Sequence, residues 1–272
     1  MKPATLVRAA TLGALCATFC ASAQAQDPAA AKPPVPDWAI PGSATHKQGP
    51  PPRDFHRETI TVNEPIGIFD GQSDVGAALA PGSARYDATH KTYTINSAGY
   101  NIWYSRDEFR FLWKAMKGDV SLAANIAFPD PSGYGDRKAV LVIRQDLEDD
   151  SKQVVVALHG LGMIQLAQRP EKAALTKDRE YRIGGRGRPE GKNPDSLVND
   201  IAKRIGVEKR GNRFSLYVSL EGEPMTRYGP PIELDLKEPF YVGIGFCSHL
   251  PDVVDTATLS NVVLVNKAGK VR

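Results

Sequence analysis

The stretch FYVGIGFCSH, residues 240–249, decides the fold of this chain. Its side chains alternate: Val242, Ile244 and Phe246 fall on one side of an extended strand, and Tyr241, Gly243, Gly245, Cys247 and His249 fall on the other. That alternation argues a strand with one apolar face, not a helix. The second face has two glycines between a tyrosine and a histidine, which suits the floor of a shallow groove approached by another group better than it suits a core. Cys247-Ser248-His249 has the look of a catalytic triplet, but alternation turns Ser248 away from its neighbours. Same-face neighbours along a strand are about 6.5–7 Å apart between alpha carbons, so Cys247 and His249 do not readily meet. Cys247 is expected to be a small, semi-buried filler and His249 a residue at the groove's edge.

Outward from this strand, short β-type runs alternate with turn residues from Glu58 onward, the pattern of an antiparallel sandwich. TITV, ARYDATHKTYTIN, NIWYS, EFRFLWKAMKG, VSLAANIAF, AVLVIRQ, QVVVALHG, GMIQLAQR, NRFSLYVSLEG and ATLSNVVLVN read as further strands, and IAKRIGVEKRG leads into a hairpin about Gly211-Asn212. PDSLVNDIAKRI is the best helical alternative, with Leu197, Ile201 and Ile205 four apart. EYRIGGRGRPEGKNPD lacks apolar weight and reads as an exposed loop. In RKAVLVIRQ both faces are apolar, which implies a central strand, and Arg144 shares the face of Val140 and Val142. In VVVALHGLGMIQLAQR the apolar side takes Val154, Val156, Leu158, Ile164 and Leu166, while His159, Gln165 and Arg169 take the other. Trp113, in register with Phe109 and Phe111, reads as core, and Trp103 as a strand end under a loop. His46, His56 and His90 sit in loop-like text and carry no functional weight.

Residues 1–25 have a basic start at Lys2 and Arg8, an apolar stretch and small residues before Gln26, which reads as a secretory signal peptide cut near Ala25-Gln26. The protein is therefore expected to be exported, periplasmic or secreted, and no other run approaches the roughly 20 apolar residues of a membrane helix. Losing the leader would take the formal charge from +3 to about +1, which is no nucleic-acid signature. It would also leave Cys247 as the sole cysteine, so no internal disulfide is expected. Residues 26–57, rich in Pro and Ala with Trp38 and Ile40 as their main apolar groups, read as a linker or arm. Residues 58–272 read as one domain.

GIFDGQSDVG, GSARYDATHKTYTINSAGYNIWYSRDEFRFLWKAMKGDVSLAANI, RKAVLVIRQ, VVVALHGLGMIQLAQR, VEKRGNRFSLYVSLEG and FYVGIGFCSHLPDVVDTATLSNVVLV, in that order, resemble the concanavalin A-like sandwich domains of unknown function grouped with the regulation-of-enolase type. The resemblance covers about residues 68–266 and implies a jelly roll of two stacked sheets, related in shape to lectins and glucanases. It suggests glycan or surface binding. SLEGEPM lacks the aromatic that often follows the corresponding turn, which puts a stacking contact there in doubt.

The Glu-x-Asp-x-x-Glu pattern of retaining glucanases, which sets two carboxylates about 5 Å apart, is absent. DLEDDS, residues 146–151, falls in a turn where acids are ordinarily solvated, and Asp107, Asp119 and Asp136 read as turn formers. No zinc-ligand spacing is present, and neither a metal, a cofactor nor a catalytic residue is assigned. The sequence thus points to an exported carbohydrate- or glycan-binding sandwich, with Arg144, His159, Gln165, Arg169 and His249 as candidate contacts and Tyr241 as candidate stacker. Three other readings stay open: a merely solvated sheet face, a polysaccharide hydrolase or lyase with a non-standard site, and a cell-envelope protein-interaction module.

Overall fold

KAVLVIR and QVVVALH have no polar side to offer to water, and in the computed structural model all fourteen of their residues are buried. A strand buried on both faces needs a layer above and a layer below, and this requirement shapes the molecule. The structure describes residues 56–182, 202–220, 222–250 and 252–272, all within one compact unit, Val35–Arg272. The expected leader, most of the expected arm and much of the segment first read as helix or exposed loop lie outside the described residues.

The strands, in chain order, are β1 (Ile60–Val62), β2 (Gly71–Val75), β3 (Ser83–Asp87), β4 (Thr92–Ser97), β5 (Ile102–Trp103), β6 (Arg106–Asp107), β7 (Phe109–Met116), β8 (Val120–Ala127), β9 (Lys138–Arg144), β10 (Gln153–His159), β11 (Met163–Arg169), β12 (Lys177–Arg182), β13 (Arg204–Arg210), β14 (Arg213–Ser219), β15 (Thr226–Glu233), β16 (Phe240–Cys247) and β17 (Asp255–Val265). No helix occurs among the described residues, so none there is long and apolar enough to cross a membrane. An eight-stranded sheet runs β1-β2-β7-β16-β9-β10-β11-β12 and a seven-stranded sheet runs β15-β14-β13-β8-β17-β4-β3. Every pairing within them is antiparallel. From β7 to β9, and again from β15 to β17, the chain changes sheet at each step, the crossover habit of a jelly roll.

The expected hairpins form. β13 pairs with β14 from Arg210↔Arg213 inward, with Gly211 at φ +57° in the turn. β3 and β4 turn where Asp87 Oδ1 accepts from the backbone N–H groups of Thr89 and His90, which makes His90 a turn residue. Three strands escape the reading by pattern. GQSDV is polar, yet its Ser73 hydroxyl takes the Trp113 indole N–H at 2.9 Å and its Asp74 pairs with Arg110 at 3.1 Å. β12 and β15 are edge strands, where charge and the Gly229-Pro230-Pro231 run cost little because one rim needs no partners.

The main core lies between the sheets, with Leu112, Ile143, Val156, Leu166, Ile244 and Phe246 meeting Tyr93, Leu122, Ala124, Ile205, Leu216 and Leu259. A second cluster covers the other face of the eight-stranded sheet and includes Ile102, Phe109, Phe111, Trp113, Val140, Val142, Val155, Ala157 and Cys247. Trp113 is therefore core, as expected, but in this outer layer. The lid of the layer is the β5–β6 hairpin.

Asp107, expected to form a turn, is instead the anchor of that lid. Its carboxylate takes Arg169 in a two-point pair, Nη1 at 2.8 Å and Nη2 at 2.7 Å. It also takes Gln153 Nε2 at 2.8 Å and Arg144 Nη2 at 3.4 Å. Asp107, Arg144 and Arg169 are all 0% exposed. Removing one member of a buried ion group strands the others without water, at a cost of about 3–5 kcal/mol. Asp107→Ala, which would strand two guanidinium groups, is expected to lower the unfolding free energy of the full chain in urea by at least that amount, and a loss under about 1 kcal/mol would contradict the clamp.

Candidate functional site

Strand register sets out the outer face of the eight-stranded sheet as rows. One end row holds Tyr241, Arg144, Gln153 and Arg169; the opposite end row holds Cys247, Lys138 and His159. The candidate contacts thus share a face, as strand parity requires, but they divide between its two ends. Arg144 and Lys138 are six residues apart on β9, about 20 Å at strand rise. Arg144, Arg169 and Tyr241 occupy one end, and His159, Gln165 and His249 lie toward the other.

At the first end the arginines face protein. Arg144 gives its remaining hydrogen bond to the Glu148 carbonyl and lies over the rings of Phe109 and Phe111, at 5.5 and 5.9 Å. Its Nε and Nη1 find no hydrogen-bond partner, and the ring faces supply the attraction there. Tyr241 sets its ring edge-on to Trp113 at 5.2 Å. The acids of 146–151, expected in water, are drawn in: Asp149 and Asp150 are buried. Asp149 pairs with His56 at 2.6 Å, and Asp150 with Arg106 at 2.9 Å. Burial raises the Asp149 carboxyl above the usual range, against the hydrogen bonds from Arg57 and His56.

The glycine floor of the expected groove is filled from within. A Cβ at Gly243 would lie 1.8 Å from the Leu112 carbonyl oxygen and 2.9 Å from the Phe111 ring; one at Gly245 would lie 2.7 Å from the Arg110 carbonyl and 2.8 Å from the Phe109 ring. What approaches the backbone here is the chain's own neighbouring strand.

The second end is built differently. Lys138 is enclosed, gives its ammonium to Asn101 Oδ1 at 2.7 Å, and is held below the ordinary lysine range by burial. Cys247 is fully buried, its thiol donating to the Gly99 carbonyl at 3.0 Å. Burial pushes that thiol up to about 12. Ser248 turns away and donates to the Leu250 carbonyl at 2.6 Å. His249 has φ +66° and is layered between two tyrosines. The Tyr134 ring lies 5.4 Å from it at 12°, and the Tyr100 ring 6.4 Å from it at 24°. Tyr134 is 39% exposed. Asp136, two residues on, keeps 48% of its side chain exposed and stands 4.0 Å from His159 Nδ1. Gln165, diagonal to His159 across β10 and β11, donates from Nε2 to Asp178 Oδ2 at 2.8 Å. Among the described residues no group of three His, Cys, Asp or Glu side chains is placed to hold a metal ion.

Tyr134 and Asp136 were not legible as site residues, because PSGYGD has no periodicity to assign a face. Arg137 seats that loop: its guanidinium binds Asp255 at 2.8 Å, donates to the Asp130 carbonyl and lies 4.8 Å over the Phe128 ring. The glycine pair Gly133 and Gly135 around a lone tyrosine was the one available signal.

The fold has counterparts at low sequence identity. A functionally unknown protein from Saccharomyces cerevisiae is 14% identical with a TM-score of 0.50, over 70% of this chain and 95% of its own. A carbohydrate binding module from Bacillus subtilis is 14% identical with a TM-score of 0.41, over 77% and 96%. A glycoside hydrolase family 16 endo-glucanase from Bacteroides ovatus is 9% identical with a TM-score of 0.42, over 78% and 98%. No family model and no curated protein sequence matches the chain. The likeness is one of fold, an all-β, concanavalin A-like jelly-roll sandwich.

Because the folded thiol stays protonated well above the roughly 8.5 of a free cysteine, Cys247 is expected to resist a disulfide reagent at about pH 8 until the chain is unfolded in urea. Complete labelling of the native protein within minutes would contradict that burial.

Proposed function

We propose that this chain is an exported glycan-binding domain, of the kind grouped with the regulation-of-enolase type, whose ligand meets the Tyr134 end of the eight-stranded sheet. The observation that carries this reading is the ring stack. A half-open tyrosine braced from behind by His249 and Tyr100 offers a rigid, flat apolar face, at low conformational cost to the side chain. One polar group suited to hydroxyls stands two residues on, the half-exposed Asp136 carboxylate, 4.0 Å from the buried His159, and Gln165 lies buried on the same sheet face.

In this reading His159, Gln165 and His249 remain as contacts or supports, joined by Tyr134 and Asp136. Arg144, Arg169 and Tyr241 belong to the scaffold that holds the far end of the face closed. The leader over 1–25 delivers the protein outside the cytoplasm, and the arm over 26–57 tethers or spaces the domain.

A glycan array probed with the full chain tests the proposal. Binding of at least one glycan class is expected, and Tyr134→Ala is expected to weaken it at least tenfold, about 1.4 kcal/mol, with little change in the urea midpoint because the ring is substantially exposed. Retention of no glycan, or unchanged binding by Tyr134→Ala, would overturn the reading. Release of oligosaccharides from a polysaccharide would favour the hydrolase or lyase alternative.

A further inference from the structure

The outer face of the seven-stranded sheet carries a cavity of its own. Strand register sets Ser219, Arg204, Asn125 and Ser260 side by side, one each on β14, β13, β8 and β17. Their neighbours Val218, Ile205, Ala124 and Leu259 face the core, so alternation turns all four outward. All four line one open cavity of about 440 Å³, within the roughly 300–1,000 Å³ of small-molecule sites. The next row along the sheet is closed. A Cβ at Gly206 would lie 2.5 Å from Val271 Cγ1 and 3.0 Å from Met225 Cε, so the chain's own side chains fill the space there.

The row keeps hydrogen-bonding capacity of both kinds. Arg204, 8% exposed, is tied down: Nη1 donates to Asn125 Oδ1 at 2.8 Å and to the Asn261 carbonyl at 2.9 Å. Its Nε donates to the Arg272 main-chain oxygen at 2.9 Å, and Nη2 donates to the same oxygen. Asn125 Nδ2 and the Ser260 hydroxyl have no hydrogen-bond partner among the described residues. The Ser219 hydroxyl donates to the Glu223 carbonyl at 2.7 Å and keeps its lone pairs. The cavity therefore offers an amide that donates, a hydroxyl that acts either way and a hydroxyl that accepts, spread over about 14 Å at the roughly 4.8 Å spacing of strands. A single carboxylate or phosphate is too compact to engage such a row. A sugar chain, whose hydroxyls give and take along its length, matches it.

The charges at the cavity do not call for an acid. Arg204 is already met by oxygens on all three nitrogens, and Lys203, also on the lining, is exposed, where salt screens it. No lining residue is aromatic. The SLEGEPM turn, which lacks an aromatic, contributes Ser219, Leu220 and Gly222 instead. We infer that this cavity is a second saccharide site, on the sheet opposite the Tyr134 end, for a neutral hexose oligomer laid across β14, β13, β8 and β17 and held by hydrogen bonds. It has its own floor and wall, and it does not require the Tyr134 site.

Two-dimensional amide NMR of the isotope-labelled full chain tests this, with neutral gluco-, manno- and galacto-oligosaccharides and an oligogalacturonate as titrants. At least one neutral oligomer is expected to shift the Asn125 side-chain amide and the backbone amides of Arg204, Ser219 and Ser260. Its Kd should change by less than about twofold between about 50 and about 500 mM salt. Ser260→Trp, which fills the cavity and removes no hydrogen bond, is expected to weaken that binding at least about tenfold, while Tyr134→Ala leaves these shifts in place. If no neutral oligomer moves these amides, or if folded Ser260→Trp binds as well as the parent chain, the second site is overturned. Shifts confined to residues 130–137 would overturn it too and leave the Tyr134 reading standing. Tighter, salt-sensitive binding of the oligogalacturonate at these amides would overturn the neutral assignment.

Discussion

The Asp107 carboxylate between Arg144 and Arg169 is the constraint on which the rest of this structure depends. A jelly roll needs only one buried face per sheet, and the opposite face of the eight-stranded sheet could have been left to water. Here Val140, Val142, Val155 and Ala157 make that face apolar, and it must be covered. The cover is a short hairpin in which Ile102 is fully buried while Trp103 and Tyr104 stack on each other and stay half-buried, and charge holds it in place. The geometry is what makes three enclosed ions tolerable: a two-point Arg169 pair, a Gln153 amide, carbonyls from Trp103, Ser151 and Glu148, and two phenyl rings beneath Arg144. Asp107 N–H also donates to the Asp149 carbonyl at 2.8 Å. The clamp thereby ties the lid to the β9–β10 turn, and Asp149 in turn holds residues 56 and 57.

Closing one end of the face determines where a ligand can reach. With Phe109 and Phe111 pressed against Gly245 and Gly243, the middle of the sheet has no groove floor to offer. In the proposed reading, contact is left to the loops at the Lys138 end, where the β8–β9 loop sets Tyr134 against His249. The thiol and the lysine beneath are structural: enclosure leaves Cys247 a weak hydrogen-bond donor and leaves Lys138 a support for Asn101 and the lid. The proposed site is then a loop-borne surface braced by a rigid sheet, with its chemistry set by loop residues more than by strand residues.

Much of the fold was legible because it rests on period-2 alternation. TYTINS alternates half-buried and buried along its whole length, and the doubly apolar KAVLVIR is a central strand as its composition demands. Two of the four edge strands failed the same reading, Lys177–Arg182 and Thr226–Glu233, where charge and proline mask the alternation. Parity also placed Arg144, His159, Gln165 and Arg169 correctly on one face. It could not say whether that face is open, because coverage depends on a partner distant in sequence: Asp107 is 37 residues from Arg144 and 62 from Arg169. A buried Arg and a ligand-facing Arg have the same signature in a strand. The missing clue was the excess of apolar neighbours around Arg144, which already argued that something lies on top.

The lid is part of the core and not a gate. Native-state hydrogen exchange on the full chain tests it most directly, read at the amides of Asp107 and Glu108, which donate to Asp149 and to Asn101 across the hairpin. Both are expected to exchange only through global unfolding, with protection that tracks the unfolding free energy as urea is added. Exchange of both amides orders of magnitude faster than those of β9, with no dependence on urea, would show a lid that opens on its own and would return Arg144 and Arg169 to the ligand.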